Sequence, residues 1–378
     1  MRYLDNAATT PVRREVLEAM TPYLTSHFGN PSSHHTIGEQ AARALADARA
    51  RIAAVLGMRS TDIVFTSGAT EANNLAIKGV AIAAQQRRGA RHIVTTPIEH
   101  ESVLASIDYL VRIHGFDASL VPVDATGRVD PTAVADALRD DTAIVSIGYA
   151  NNEIGTVQDV AGLVRAVGGR APLHLDAVQA AGWLPLAATG ADAVSIAGHK
   201  IGAPKGIGVL GIRARIPLEP VLHGGGQERE RRSGTENVAG AVGLARALEL
   251  AESERASGAA RVAAMRDELI TGVLERIPVA RLTGHPMHRL PGTASFTFAG
   301  VNGETVLLEL ERRGLVTSSG SACAAGSDEA SHVLLALGVP PDQARTAVRV
   351  TFGHDAEGSV APIVDAIEAA VAAVRSGV

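Results

Sequence analysis

Two residues define the first chemistry that this chain could do. Lys200 closes the segment Ala197-Gly198-His199-Lys200 just past one apolar run, and Asp176 ends another in Leu173-His174-Leu175-Asp176-Ala177-Val178-Gln179. A Lys amine can form a Schiff base with the aldehyde of pyridoxal phosphate (PLP), and a carboxylate can keep the pyridine nitrogen protonated so that the ring accepts electrons. An Asp ending one buried strand and a Lys just past the next is the arrangement that such chemistry needs. Either residue alone is more often solvated loop chemistry than a catalytic group.

The single cysteine adds a nucleophile. Cys323 lies in Ser318-Ser319-Gly320-Ser321-Ala322-Cys323-Ala324-Ala325-Gly326-Ser327. A structural Cys is usually surrounded by large apolar residues. Neighbours that are Ser, Gly and Ala instead suit a mobile loop with an exposed, reactive thiol. With one Cys, no intrachain disulfide and no Cys-based metal cluster can form, and no metal site is expected.

Three further segments place polar groups after short apolar runs. In Phe65-Thr66-Ser67-Gly68-Ala69-Thr70-Glu71 a Gly turn opens a helix, and bare N–H groups at such a terminus bind phosphate; a plain strand-to-helix turn is the other reading. His100, in Glu99-His100-Glu101-Ser102, could serve as acid or base over a cofactor ring, or could simply bond backbone at a helix start. Asn151, in Asn151-Asn152-Glu153-Ile154-Gly155, offers a donor and an acceptor to a ligand or makes a turn.

The elements that must position these groups are legible as alternating patterns. Short β-branched runs at 62–66, 92–95, 143–147, 173–175 and 193–196 read as buried strands. Between them lie helical patterns, such as Ala41, Leu45, Ala48, Ile52, Val55 and Leu56 on one face, stopped by Gly57. This alternation predicts an α/β fold with a mostly parallel central sheet flanked by helices, with ligands at the carboxyl ends of the strands. After Gly240 the pattern shifts to a long helix reaching about Ile277, a strand at 294–298, helices near 304–313 and 328–337, a strand at 348–351 and a closing helix from about 357 to 374. A large α/β domain over 12–256 and a smaller α+β domain over 1–11 and 257–378, carrying the Cys323 loop, follow from this reading.

Composition excludes other classes. At 378 residues the chain exceeds the limit of about 250–300 residues for one core. A net charge of −5 without a Lys/Arg stripe argues against direct nucleic-acid binding. No apolar run reaches the roughly 18–20 residues that cross a bilayer. Asp5 stands where a signal peptide would place its apolar core, so a cytoplasmic location is expected.

Taken together, the segments closely resemble the cysteine desulfurases, class-V aminotransferase-like PLP enzymes that draw sulfur from L-cysteine. The resemblance runs over nearly the whole chain: Tyr3 to Pro11, Phe28-Gly29-Asn30-Pro31-Ser32-Ser33, Thr66 to Glu71, Asn151 to Gly155, Gly198-His199-Lys200, Arg232-Ser233-Gly234-Thr235-Glu236-Asn237 and Ser318 to Cys323. The Ser-Ser-Gly-Ser-Ala-Cys loop is similar to that of the group with a long catalytic loop, typified by nitrogen-fixation and iron-sulfur cluster enzymes.

The resemblance implies the PLP-dependent transferase fold type I and a set of roles. Lys200 would hold PLP and take the substrate Cα proton, Asp176 would pair with the ring nitrogen, and Gln179 would touch the ring oxygen. His100 would stack on the ring and manage protons at the substrate thiol. Thr70, His199 and the backbone near Ala69 would hold the phosphate, joined by Thr235 from the other subunit of a homodimer. Asn151 would touch cofactor and substrate, and Arg349 would clamp the substrate carboxylate. Cys323 would attack the substrate sulfur, leaving alanine and a persulfide to be passed to a sulfur-acceptor protein.

Two departures stand out. Many relatives have Ser where this chain has Ala197, so one donor to the phosphate is missing. The sequence also ends at Ser376-Gly377-Val378, without the extension that housekeeping relatives use to dock a cluster scaffold, which leaves the acceptor open. A selenocysteine lyase would share this site and be separated by its relative turnover of L-selenocysteine. An aminotransferase would not need Cys323, and a non-enzymatic scaffold would bind no PLP.

Overall fold

Strand β1 (Arg2–Tyr3) opens the chain, and its partner lies near the other end of the sequence. The residues that follow build a seven-stranded sheet from β2 (Ile63–Thr66), β3 (His92–Thr95), β4 (Asp117–Leu120), β5 (Thr142–Gly148), β6 (Leu173–Asp176), β7 (Ala193–Ala197) and β8 (Gly208–Ile212). The strand order is β2-β8-β7-β6-β5-β3-β4. Strand β8 runs antiparallel to both its neighbours, and the other pairs are parallel. The computed structural model that shows this describes residues 1–320 and 330–376.

Alternation along each strand sends neighbouring side chains to opposite faces. Phe65, Val94, Val145 and Val209 join one buried cluster, whereas Val64, Ile93, Ile144 and Leu210 join another. Each face is therefore covered, which is why these strands read as continuous apolar runs. The helix Thr36–Leu56 covers one face through Ala41, Leu45, Ala48 and Ile52, and ends at Gly57 with φ +61°, a left-handed conformation that glycine adopts without a Cβ penalty.

A second, antiparallel sheet is formed by β9 (Ala280–Leu282), β10 (Thr293–Phe298) and β12 (Val348–Thr351), while β11 (Leu315–Val316) pairs with β1. Its own cluster includes Leu4, Phe296, Phe298, Val350, Phe352 and Ile367. A continuous helix, Val238–Arg276, joins the two cores: Ala241 to Ala251 pack in the first cluster, and Val262 to Val273 in the second. It passes residue 256 without a break. No helix among the described residues is long and apolar enough to cross a membrane.

Candidate active site

The carboxyl ends of the central strands open onto a cavity of about 800 Å³, within the usual size of small-molecule sites. Ala69, Thr70, His100, Asn151, Asp176, Gln179, His199, Lys200 and Arg349 all line it. Thr235 does not; it is exposed, near Arg232, whose guanidinium bonds Glu71 at 2.7 Å at the start of the helix that follows β2. Cys323 lies outside the described residues.

Strand β2 leads into the cavity through Gly68, whose φ of +155° favours glycine. The turn also needs Gly208 opposite, where an added Cβ would sit 2.6 Å from the Gly68 carbonyl carbon. Ala69 then starts a helix, so its backbone N–H groups face the cavity end of the sheet.

Asp176, the last residue of β6, is buried. It accepts from Asn73 Nδ2 at 2.7 Å and from the Val178 N–H at 3.1 Å. His100 precedes the helix Glu101–His114 and caps it, its Nδ1 accepting the Ser102 N–H at 3.0 Å. The capping role and a place in the cavity wall thus occur together. Beside it, burial pushes the Glu99 carboxyl up to about 8, with the Asp176 charge adding to the shift. Thr96 Oγ1 and the Gly148 N–H donate to Glu99 at 2.6 and 2.8 Å.

Four other groups are bound by the segment that follows β1. Lys200 Nζ donates to the carbonyls of Ala7 and Ala8, the second at 2.7 Å. Gln179 Nε2 donates to the Ala7 carbonyl at 3.1 Å, and His199 Nδ1 lies 3.1 Å from Thr9 Oγ1. Burial lowers His199 to about 4, and the Lys200 and Lys205 cations lower it further, so the ring is neutral near pH 7. Arg349 is 2% exposed; its Nη2 meets Asp5 Oδ1 at 2.7 Å, and its Nη1 donates to the Asn152 and Gly320 carbonyls. Its Nε is buried with no hydrogen-bond partner among the described residues.

Asn151 shows the turn chemistry that its sequence context allowed. Its Oδ1 accepts from the Glu153 and Ile154 N–H groups and its Nδ2 donates to the Ile98 carbonyl. Asn73, Glu99, Ser102 and Asp5 are the participants that sequence reasoning missed. Only Asn73 left a signal, standing four residues after Ala69 on the same face of a helix.

The donor set fits PLP. An amine, a strand-end carboxylate, a neutral His and a helix N-terminus share one cavity, and one lining residue, Arg349, has a buried Nε without a partner among the described residues. Such an orphan is what an absent carboxylate would satisfy. Ala197 also lines the cavity, and its side chain can offer no hydrogen bond.

Comparison with known proteins agrees with this geometry. The aminotransferase class-V family model matches residues 2–358. A cysteine desulfurase IscS of Methanosarcina thermophila is 45% identical over 93% of this chain and 87% of its own. An IscS-like cysteine desulfurase of Mycobacterium tuberculosis is 44% identical over 99% and 97%. A solved structure described as a NifS-like protein superposes with a TM-score of 0.90 at 37% identity, covering 100% of both chains. With a family model spanning most of its length and full-length relatives that share close to half of its residues, the chain belongs to the class-V aminotransferases and, within them, to the cysteine desulfurases.

Proposed function

We propose that this protein removes sulfur from L-cysteine with PLP, giving L-alanine and a persulfide on Cys323. The observation that carries the reading is the convergence of Lys200, Asp176 and a helix N-terminus on one cavity. Bound PLP would supply an electron sink that makes the substrate Cα–H acidic.

The chain's residues would do the rest. Lys200 would hold the cofactor covalently and, once displaced by substrate, take the Cα proton on Nζ. The Ala7 and Ala8 carbonyls that bond this amine suit the ammonium so formed. Asp176, which accepts from two N–H donors, would hold the proton on the ring nitrogen. Thr70, His199 and the backbone at Ala69 would bind the phosphate, and Gln179 the ring oxygen. Arg349 and Asn151, which both line the cavity, would take the substrate carboxylate. The thiolate of Cys323 would attack the substrate sulfur: the S–S bond forms as the C–S bond breaks, and the carbon that keeps the electron pair becomes the methyl group of alanine.

The reading extends to assembly. Thr235 is exposed and outside its own chain's cavity, which supports a homodimer in which it reaches the partner's phosphate. The largest cluster, within 12–256, and a second one drawn from Leu4 and 262–374 support units over 12–256 and over 1–11 with 257–378, joined by a small cluster of Ile98 and Ile154 with Val333, Leu334 and Leu337. The persulfide would pass to a sulfur-acceptor protein in the cytoplasm, for cluster assembly or thiolation.

The test is intact mass of the PLP-loaded enzyme after L-cysteine treatment without reductant. Wild type should gain one sulfur on the Cys323 peptide. Cys323→Ala should still bind L-cysteine but gain none and release little alanine. Full turnover by that variant would leave a lyase that ejects sulfide directly.

A further inference from the structure

His100 follows β3 and Asp176 ends β6, yet one line of hydrogen bonds joins them. Asn73 Nδ2 donates to Asp176 Oδ2 at 2.7 Å and to Ser102 Oγ at 2.9 Å. Ser102 Oγ lies 2.8 Å from His100 Nδ1, and the Ser102 N–H donates to that same nitrogen at 3.0 Å. Asn73 is 1% and Ser102 8% exposed, so the two middle members have little access to water that could replace these bonds.

The direction of each bond follows from what each group can donate. A carboxylate only accepts, so the NH2 end of Asn73 must face Asp176; the opposite orientation would set two oxygens 2.7 Å apart. That same nitrogen stands beside Ser102, whose oxygen therefore accepts there. The single hydroxyl proton of Ser102 is left for its other neighbour, His100 Nδ1. The backbone N–H of Ser102 also only donates. Nδ1 thus accepts twice and carries no proton, and a neutral imidazole with a bare Nδ1 is protonated on Nε2. Asn73 Oδ1, buried without a partner among the described residues, is the cost of this orientation.

We infer that Ser102 and Asn73 are positioning residues that tie Asp176 to His100 and lock His100 in its Nε2–H tautomer, so that the ring meets the substrate as a proton donor and not as a base. The consequence for turnover rests on the desulfurase reading above. The amide of Asn73 does not pass protons along, so the line is a clamp and not a relay. Removal of the substrate's thiol proton then falls to a group other than resting His100.

The experiment labels the PLP-loaded enzyme with 15N-histidine and identifies the His100 ring among the 13 histidines by its loss in His100→Gln. Wild type should show a bare Nδ1 and a protonated Nε2. Ser102→Ala removes the hydroxyl but keeps the N–H at that position. It should raise the ratio of Nδ1–H to Nε2–H about fivefold, the weight of one neutral hydrogen bond, and lower kcat for alanine release in proportion to the Nε2–H population lost, with KM unchanged. Ser102→Thr should restore both. A protonated Nδ1 in wild type, or an unchanged tautomer in Ser102→Ala at any rate of turnover, would overturn the inference. The tautomer is read whether or not cysteine is consumed, so an inactive wild type with a bare Nδ1 would count against the proposed function and leave the clamp standing.

Discussion

Two groups of side chains meet in the cavity, and they are held in different ways. Asp176, Asn73, Ser102 and His100 bond one another at the ends of β6 and β3 and along the helices that follow β2 and β3. Lys200, Gln179, His199 and Arg349 instead bond the segment 5–9, through the Ala7 and Ala8 carbonyls, Thr9 and Asp5. The first group is organised by the sheet itself. The second depends on a strap from the start of the chain, pinned to β12 by the Thr351 N–H bond to the Leu4 carbonyl and by Asn6. The proposed ring-facing groups are thus built into the central sheet, whereas the proposed covalent anchor, Lys200, and carboxylate clamp, Arg349, are oriented by residues remote in sequence.

The largest effect should come from removing the anchor. Lys200→Ala leaves the strap tied to Gln179 and Arg349, so the fold should survive, but alanine release from L-cysteine should fall by about 10⁴-fold or more because the covalent hold and the Cα base vanish together. PLP should remain bound through its phosphate. Near-normal alanine production would show that the strap-held amine is not the reacting group.

Asp5 tests the strap's other end. Strand pairing sets Asp5 beside Thr351, and Arg349 lies two residues earlier on the same face of β12, so the carboxylate reaches the guanidinium. Asp5→Ala leaves a buried cation without its partner, which should cost about 3–5 kcal/mol of stability by denaturant unfolding. It should also weaken binding of L-alanine about tenfold, one misplaced charge-assisted contact, while leaving cysteamine, which lacks a carboxylate, unaffected. Equal weakening for both ligands would mean that Asp5 supports the whole cavity and not Arg349. Asp5→Asn keeps an acceptor oxygen and should fall between.

Sequence legibility differs along the same division. Asp176, Lys200, His100 and Asn151 each stand just after a short apolar run, and the sheet topology that brings strand ends together makes such positions readable. The partner of Arg349 is 344 residues away, and no period or spacing in a single sequence encodes that bond. Asn73 and Ser102 were hidden for another reason: their bond joins two helices across the layer packed on the sheet, and on paper each is an ordinary helix residue. Asn151 had both a ligand and a turn reading, and only the positions of Glu153 and Ile154 show its oxygen bonding the turn.

The two groups should also respond to pH with opposite signs. Glu99, beside Asp176, is raised to about 8 by burial, so the folded state keeps a proton that the unfolded chain releases near 4.5. Its contribution to stability is whole below that lower value and is lost as the pH rises towards about 8. His199, on the strap, is lowered to about 4 from 6.5, so its contribution is whole above 6.5 and is lost as the pH falls towards about 4. Glu99→Gln should therefore flatten the decline in stability on the alkaline side, by on the order of 1–3 kcal/mol between about pH 5 and 8. His199→Gln should flatten the acid side. Denaturant midpoints across pH check both, and an alkaline decline that persists in Glu99→Gln would assign it to another group.

The smallest effect concerns the boundary between the two groups, where β7 delivers Ala197 to the cavity just before His199. Ala197 is 1% exposed and is one of the residues lining the cavity, so a serine there should bring a hydroxyl near the proposed phosphate position without disturbing the strand ladder to Gly208. The strap already holds His199 in place, and Thr70 and the helix N-terminus at Ala69 face the same space. One added donor among several should contribute about the net weight of a single hydrogen bond, so Ala197→Ser should slow PLP loss on dialysis about fivefold. Two variants separate the sources of that gain. If the hydroxyl adds to a cup that the strap keeps in shape, Thr9→Val, which removes the His199 contact, should enlarge the benefit of Ala197→Ser. If PLP loss is equally slow with and without the serine in both backgrounds, the helix N-terminus alone holds the phosphate, and the strap's influence stops at Lys200 and Arg349.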